Sequence, residues 1–255
     1  RNLPEVLRQI PACVGEVILV DGNSTDATIP IALSCRPDIR IISESLPGKG
    51  NALQAGFEAA TGEIVVAMDA DGSMSPAEIP ALLYFLEHGY DVVKGSRFVC
   101  GGGSLDITRL RKLGNKALLS LLNVVYDTNL TDLCYGFIAF RRRFLAYLDV
   151  TSAGFEVETE ITVHALNAGL RIAEVPSLEM PRRSGRSSLR TFSDGCRVLR
   201  TLWEERPHRA APRLAAGRLI TTGRRTGTSA AIVPTEAPRP DLAGLAPFGA
   251  EPART

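Results

Sequence analysis

Asp69 and Asp71, separated by Ala70, follow an apolar run that ends at Met68. Two carboxylates so placed at the end of a strand can both reach one loop-bound divalent ion. Hard oxygen ligands suit Mg²⁺ or Mn²⁺, which keep several waters and bridge substrate phosphates. The competing reading is a solvated acidic turn, with Gly72 allowing a sharp exit in either case. An EF-hand loop starting at Asp69 needs glycine where Met74 stands and glutamate where Pro80 stands. One starting at Asp21 meets Asp26 and Ala32 at those places, so neither is a calcium loop.

Two further polar turns carry chemistry-bearing side chains. Asp21-Gly22-Asn23-Ser24-Thr25-Asp26 offers carboxylate and backbone groups to a base or ribose, and Asp26 can cap the helix that follows. A purely structural turn fits these residues equally well. In Pro47-Gly48-Lys49-Gly50, two glycines let backbone approach a ligand and Lys49 can neutralise phosphate at a helix N-terminus. It is not a Walker A loop, because Ser43 holds the early glycine position and Asn51 follows Gly50.

The elements that must position these turns are strands at Glu16–Val20, Ile39–Ile42, Glu63–Met68, Asp91–Gly95, Gly136–Phe140 and Arg171–Val175. Helices are expected at Thr28–Ser34, Gly50–Ala60, Pro76–His88, Ile107–Val125, Glu156–Ala168 and Thr191–Glu205, after an opening helical stretch with Leu3, Val6, Leu7 and Ile10. Continuous apolar strands alternating with helices predict an α/β fold whose mainly parallel sheet is covered on both faces. Ligands of such sheets bind beyond the carboxyl ends of the strands, in the loops at Asp21–Asp26, Asp69–Ser73 and Ser96–Gly103. The domain should span residues 1–206. From Pro207 to Thr255, Ala, Pro, Arg, Gly and Thr dominate without periodicity, which predicts a disordered tail.

The 255 residues carry a formal net charge of +1, with 45% hydrophobic and 22% charged residues, so no global bias draws the chain to nucleic acid or membrane. Five dispersed cysteines without a CxxC pair suit free thiols in a reducing cytoplasm. The longest apolar runs are far shorter than the roughly 20 residues of a spanning helix. No signal peptide is visible. The tail arginines lack interleaved aromatics, which disfavours nucleic-acid binding by stacking. The segment Ile107–Val125 sets Ile107, Leu110, Gly114, Ala117, Leu118, Leu121 and Val125 at helical spacing, with Arg109, Arg111, Lys112 and Lys116 in its first half. It reads either as a surface helix with its stripe in the core or as a basic amphipathic helix on an anionic membrane. Arg182, Arg183, Arg186 and Arg190 pose a similar choice between a phosphate-binding flap and a solvated loop.

Together and in this order, the pieces resemble family 2 glycosyltransferases of the GT-A (Rossmann-like) fold. VDGNSTDAT is similar to that family's VDDGSTDGT turn, and PGKGNALQAGFEAATGEIVVAMDADG to its lysine-to-DAD segment. KGSRFVCGGG, TDLCYGFIAFRR and FEVETEI resemble the branch containing dolichyl-phosphate mannosyltransferase and other polyprenyl-phosphate sugar transferases. The resemblance implies an inverting, metal-dependent transfer from a UDP- or GDP-linked sugar to an acceptor, with a polyprenyl phosphate among the candidates. It implies Asp21, Asp26, Lys49 and Asp69 on the donor, Asp69 and Asp71 on Mg²⁺ or Mn²⁺, and Arg97 and Arg111 on the diphosphate or an acceptor phosphate. It also implies Asp132 at the sugar pocket, with a capping or turn role as the alternative, and Glu158 and Glu160 on the acceptor side.

A phosphate acceptor is largely ionised at neutral pH and needs no base, whereas a hydroxyl would need one among Glu158, Glu160 and Asp132. The implied location is cytoplasmic, with a peripheral position at the inner membrane face as the lipid-acceptor variant. Family members begin with a strand and a P-x-[YF]-N-E turn not found here. The resemblance puts that strand between Glu16–Val20 and Glu63–Met68, so the chain as written is expected to fold poorly and bind donor weakly. The rival functions are a sugar-nucleotide nucleotidyltransferase and a non-catalytic sugar-nucleotide-binding domain.

Overall fold

A computed structural model describes residues 2–181 and 191–206. In chain order the elements are α1 (Leu3–Gln9), β1 (Ile18–Asp21), α2 (Thr28–Cys35), β2 (Arg40–Ser43), α3 (Lys49–Ala59) and β3 (Ile64–Ala67). Then come α4 (Ile79–Glu87), β4 (Val92–Ser96), β5 (Gly103–Ser104), α5 (Arg109–Tyr126), β6 (Ile138–Arg141) and α6 (Leu145–Leu148). The last are α7 (Val157–Asn167), β7 (Ile172–Pro176), β8 (Leu178–Glu179) and α8 (Thr191–Glu204). Every strand and helix expected from the hydrophobic pattern within the described residues is present, with ends shifted by a few residues. The expected tail at 207–255 and the arginines at 182, 183, 186 and 190 lie outside the described residues.

The central sheet has the order β3-β6-β4-β7. β4 and β7 pair in parallel, and β6 runs antiparallel between β3 and β4. Three of its four strands therefore share one direction, and the alternation of side chains builds two apolar layers. Ile138 and Phe140 of β6 face α3, α6 and α7 with Phe57, Leu148, Val157 and Ile161. Phe137 and Ala139 face α4 with Ile79, Leu82 and Leu86. This two-sided burial follows from a strand period of two.

β1 and β2 pair in parallel as a separate two-stranded sheet, packed with α1 and α2 through Leu3, Leu7, Ala32 and Ile39. No strand among the described residues lies between β1 and β3. The turn carrying Asp21 and Asp26 and the turn carrying Asp69 and Asp71 thus leave from two different sheets.

The turn before α3 has a different purpose from the one its glycines suggest. Gly48 has φ +124°, and a Cβ at Gly48 or Gly50 would collide with the carbonyl oxygens of Ala153 and Ser152. The Gly50 N–H donates to Ala153 O at 2.8 Å. The free backbone face is therefore taken by the chain at 151–154 and is not open to a ligand. Gly50→Ala is expected to lower the urea midpoint by the equivalent of about 2–3 kcal/mol, since a main-chain carbonyl cannot step aside as a side chain can. An unchanged midpoint would show that the loop is not seated there.

Candidate active site

A cavity opens at the carboxyl end of β3 and β4, lined among others by Lys49, Asp69, Arg97, Arg111, Glu158 and Glu179. This is the end of the sheet expected to bind ligands. Lys49 begins α3 and projects its ammonium between two carboxylates. Nζ lies 2.7 Å from Asp69 Oδ1 and 2.6 Å from Glu158 Oε1, with the side chain only 13% exposed. Burial alone would lower its pKa, yet Glu158 and Asp69 together outweigh that and hold it above the ordinary lysine range. Gly136 makes room for the pair, because a Cβ there would meet Lys49 Nζ and Glu158 Oε1.

Arg97, just past β4, forms the opposite charged cluster. Its Nε donates to Asp132 Oδ2 at 2.7 Å and its Nη2 to Asp132 Oδ1 at 2.9 Å, the two-pronged geometry that suits guanidinium and carboxylate. Nη2 also donates to Cys134 O at 2.7 Å, and Nη1 lies 3.2 Å from Glu179 Oε2. The guanidinium sits 4.8 Å from the centre of the Tyr135 ring. Burial would lower its pKa, but Asp132 and then Glu179 reverse this and raise it further, so Arg97 stays cationic. The neighbouring Cys134 thiol is pushed up to about 12 by burial, reinforced by Glu158 and Asp132, and is no nucleophile at neutral pH.

Other anticipated residues lie elsewhere. Asp132 is 0% exposed and turned onto Arg97, so it does not line the cavity. Glu160 is also buried, and accepts from Thr151 N, Thr151 Oγ1 and the Ser152 N–H, pinning the loop before α7. It faces away from Glu158 because two residues along a helix turn by about 200°. Asp21 accepts from Ser24 N at 3.0 Å, and Asp26 from Thr28 N at the start of α2, both beside the other sheet. Asp71 accepts from Ser73 N at 3.0 Å and is not among the cavity-lining residues. No three His, Cys, Asp or Glu side chains come together as a metal-holding group among the described residues.

Among the cavity residues, Glu179, Asp194 and Gly195 had no signal in the motifs. Glu179 of β8 completes the Arg97 cluster, and Asp194, Gly195 and Val198 of α8 close one side together with Asn115 and Leu118 of α5. The α5 stripe expected from spacing is divided. Leu118 and Gly114 border the cavity, while Leu110, Leu121 and Val125 are exposed.

The family model described as Glycosyl transferase family 2 matches residues 1–148. The chain belongs to that family. An uncharacterized glycosyltransferase of Mycobacterium tuberculosis is 34% identical over 188 residues, 74% of this chain and 84% of that protein. The undecaprenyl-phosphate mannosyltransferase of Micrococcus luteus is 31% identical over 200 residues, covering 74% and 82%. Among solved structures, that of a mycobacterial protein has a TM-score of 0.66 at 26% identity, covering 80% of this chain and 70% of that one. Glucosyl-3-phosphoglycerate synthase from Mycobacterium tuberculosis, solved with Mn²⁺, UDP-glucose and phosphoglyceric acid, has a TM-score of 0.62 at 24% identity, covering 80% and 74%. The latter likeness is one of fold. The protein is thus a family 2 glycosyltransferase with a GT-A-like α/β architecture, and no described helix is long and apolar enough to cross a membrane.

Proposed function

We propose that this transferase moves a sugar, with inversion, from a UDP- or GDP-linked donor to a polyprenyl phosphate. The observation that carries the reading is the cavity wall where Lys49, Arg97 and Arg111 meet Asp69 and Glu158 at the carboxyl end of β3 and β4. Fixed cations in a water-poor cleft stabilise the charge that develops on a departing diphosphate. Asp69, whose side chain is 31% exposed at the cavity edge, and Asp71 would hold Mg²⁺ or Mn²⁺. Two carboxylate donors fit such an ion, which draws its remaining ligands from water and substrate phosphates. When bound, it supplies further charge neutralisation at the leaving group. Asp21 and Asp26, in the turn after β1, would serve the nucleoside side.

A phosphate nucleophile suits the acid–base inventory of the cleft. Glu158 is already committed to Lys49 at 2.6 Å, and Asp132 and Glu160 are turned away from the cavity. A phosphate monoester, with a second pKa of about 6, attacks without a base. The relative named as an undecaprenyl-phosphate mannosyltransferase supports a lipid-linked acceptor. So does the outer surface, where Leu110, Leu113 and Val124 of α5 and Phe192 and Trp203 of α8 are exposed. Arg109, Lys112 and Lys116 flank the α5 stripe, a pattern that suits peripheral contact with an anionic bilayer.

The test is thermal stability with UDP-glucose or GDP-mannose, with and without Mn²⁺. A donor at about 100 times its Kd should stabilise the protein by about 2.7 kcal/mol, and only when the ion is present. Release of radiolabelled sugar onto undecaprenyl phosphate in anionic vesicles completes the assignment. Stabilisation by neither donor, with or without metal, would overturn the reading.

A further inference from the structure

The loop that carries Asp132 is held by two charged side chains that leave the middle of apolar strands. Lys94 of β4 and Glu174 of β7 are direct cross-strand partners. They project to the same face of the sheet, beneath residues 131–133. Lys94 is 1% exposed, and Nζ donates to Asp132 O and Leu133 O at 3.3 Å each and to Thr162 Oγ1 at 2.8 Å. Glu174 accepts from Thr131 N at 2.7 Å, Thr131 Oγ1 at 2.9 Å and Asp132 N at 2.9 Å. The acid takes the N–H groups of the loop and the ammonium takes its carbonyls. Asp132 is thereby gripped on both sides of its own Cα.

A buried ammonium among neutral acceptors is costly, and an apolar residue would pack more cheaply in the sheet. Its three bonds point to a positional role. The loop delivers Asp132 and the Cys134 carbonyl to Arg97. On the other side, Thr162 Oγ1 donates to the carbonyl of Glu158, whose side chain holds Lys49. Lys94 therefore ties the Arg97 cluster to the Lys49 cluster through this chain of hydrogen bonds.

We propose that Lys94 and Glu174 form a clamp on residues 131–133 that sets the position of Arg97, and with it the spacing of the two charged clusters. Both are positioning residues for sugar transfer, and their catalytic consequence rests on the proposed function. Their structural consequence does not.

The experiment uses the whole chain and the variants Lys94→Met and Glu174→Gln. The first readout is solvent exchange of the Arg97 Nε–H, assigned by its loss in Arg97→Lys. Exchange should accelerate roughly 10-fold or more in folded Lys94→Met, as expected when a buried charge-assisted bond network is released. The increase should be smaller in Glu174→Gln, which keeps one acceptor oxygen. The second readout is transfer from the donor that stabilises the protein. There kcat should fall roughly 10-fold or more while donor KM moves less than about 3-fold, the signature of a contact that counts mainly in the transition state. Wild-type Arg97 exchange in folded Lys94→Met would overturn the clamp, and if that variant does not fold, the same result in Glu174→Gln would do so. Accelerated exchange with no turnover even by the wild type would leave the clamp standing and sink the transferase reading alone.

Discussion

Replacing Lys49 by methionine is expected to lower kcat/KM for sugar transfer by roughly 100- to 1000-fold, the range typical for loss of a preorganised charge facing developing anionic charge. Methionine keeps the volume of the stem and removes the ammonium that lies 2.7 Å from Asp69 and 2.6 Å from Glu158. The two carboxylates then face the same cavity without their shared cation, and a diphosphate entering it meets uncompensated negative charge. Stability should also fall, by about 3 kcal/mol, because removal of one partner strands buried charges.

The pH dependence of that deficit has a definite sign. The folded-state pKa of Lys49 lies above the ordinary 10.5, with Glu158 and Asp69 outweighing the opposing effect of burial. The folded state therefore binds this proton more tightly than the unfolded chain does, and the ion pairs contribute fully below 10.5. The contribution declines as pH rises past 10.5 toward the folded value. Urea denaturation of wild type and variant should show a constant gap between pH 8 and 10 and a narrowing gap above. A gap that widened on that alkaline side would contradict the assignment of the charge to Lys49.

Asp132→Asn is expected to cost about 3–5 kcal/mol of stability, the usual consequence of leaving a buried charge without its partner. Both Asp132 oxygens accept from the Arg97 side chain, and Oδ2 also accepts from the Arg97 N–H at 3.2 Å. An amide would present its own N–H groups to one of those donors. Glu179 cannot take over, since it already binds Nη1 and accepts from Ser104 Oγ of the neighbouring β5. For a domain of this size the loss corresponds to a fall in melting temperature of roughly 10 °C. A melting temperature within a degree or two of wild type would show that Arg97 does not depend on Asp132. Transfer should fall as well, because Arg97 would no longer be held at the cavity wall.

Much of the scaffold could be read from side-chain pattern alone. The strand leading to Asp69 and Asp71 ends at Ala67, and the helix expected from Gly50 begins at Lys49, because apolar periodicity and glycine or proline punctuation act over a few residues. The sorting of Glu158 from Glu160 was also legible in principle, since helix geometry must turn them to different sides. The buried charges Lys94 and Glu174 left a trace too, as charged residues interrupting DVVKGS and RIAEVP. A charge inside an otherwise continuous apolar strand marks a position with a partner to find.

What the chain by itself determined is its family, its order of strands and helices, and the acidic turn at the carboxyl end of a buried strand. These rest on local pattern and ordered motifs. Only the tertiary structure decided which charges meet. Lys49 reaches Glu158 across 109 residues and Arg97 reaches Asp132 across 35, and those pairings follow from how β6 inserts between β3 and β4 and how α7 lies on that sheet. Pairing of buried charges depends on distances of a few ångströms and on exclusion of water, and packing sets both.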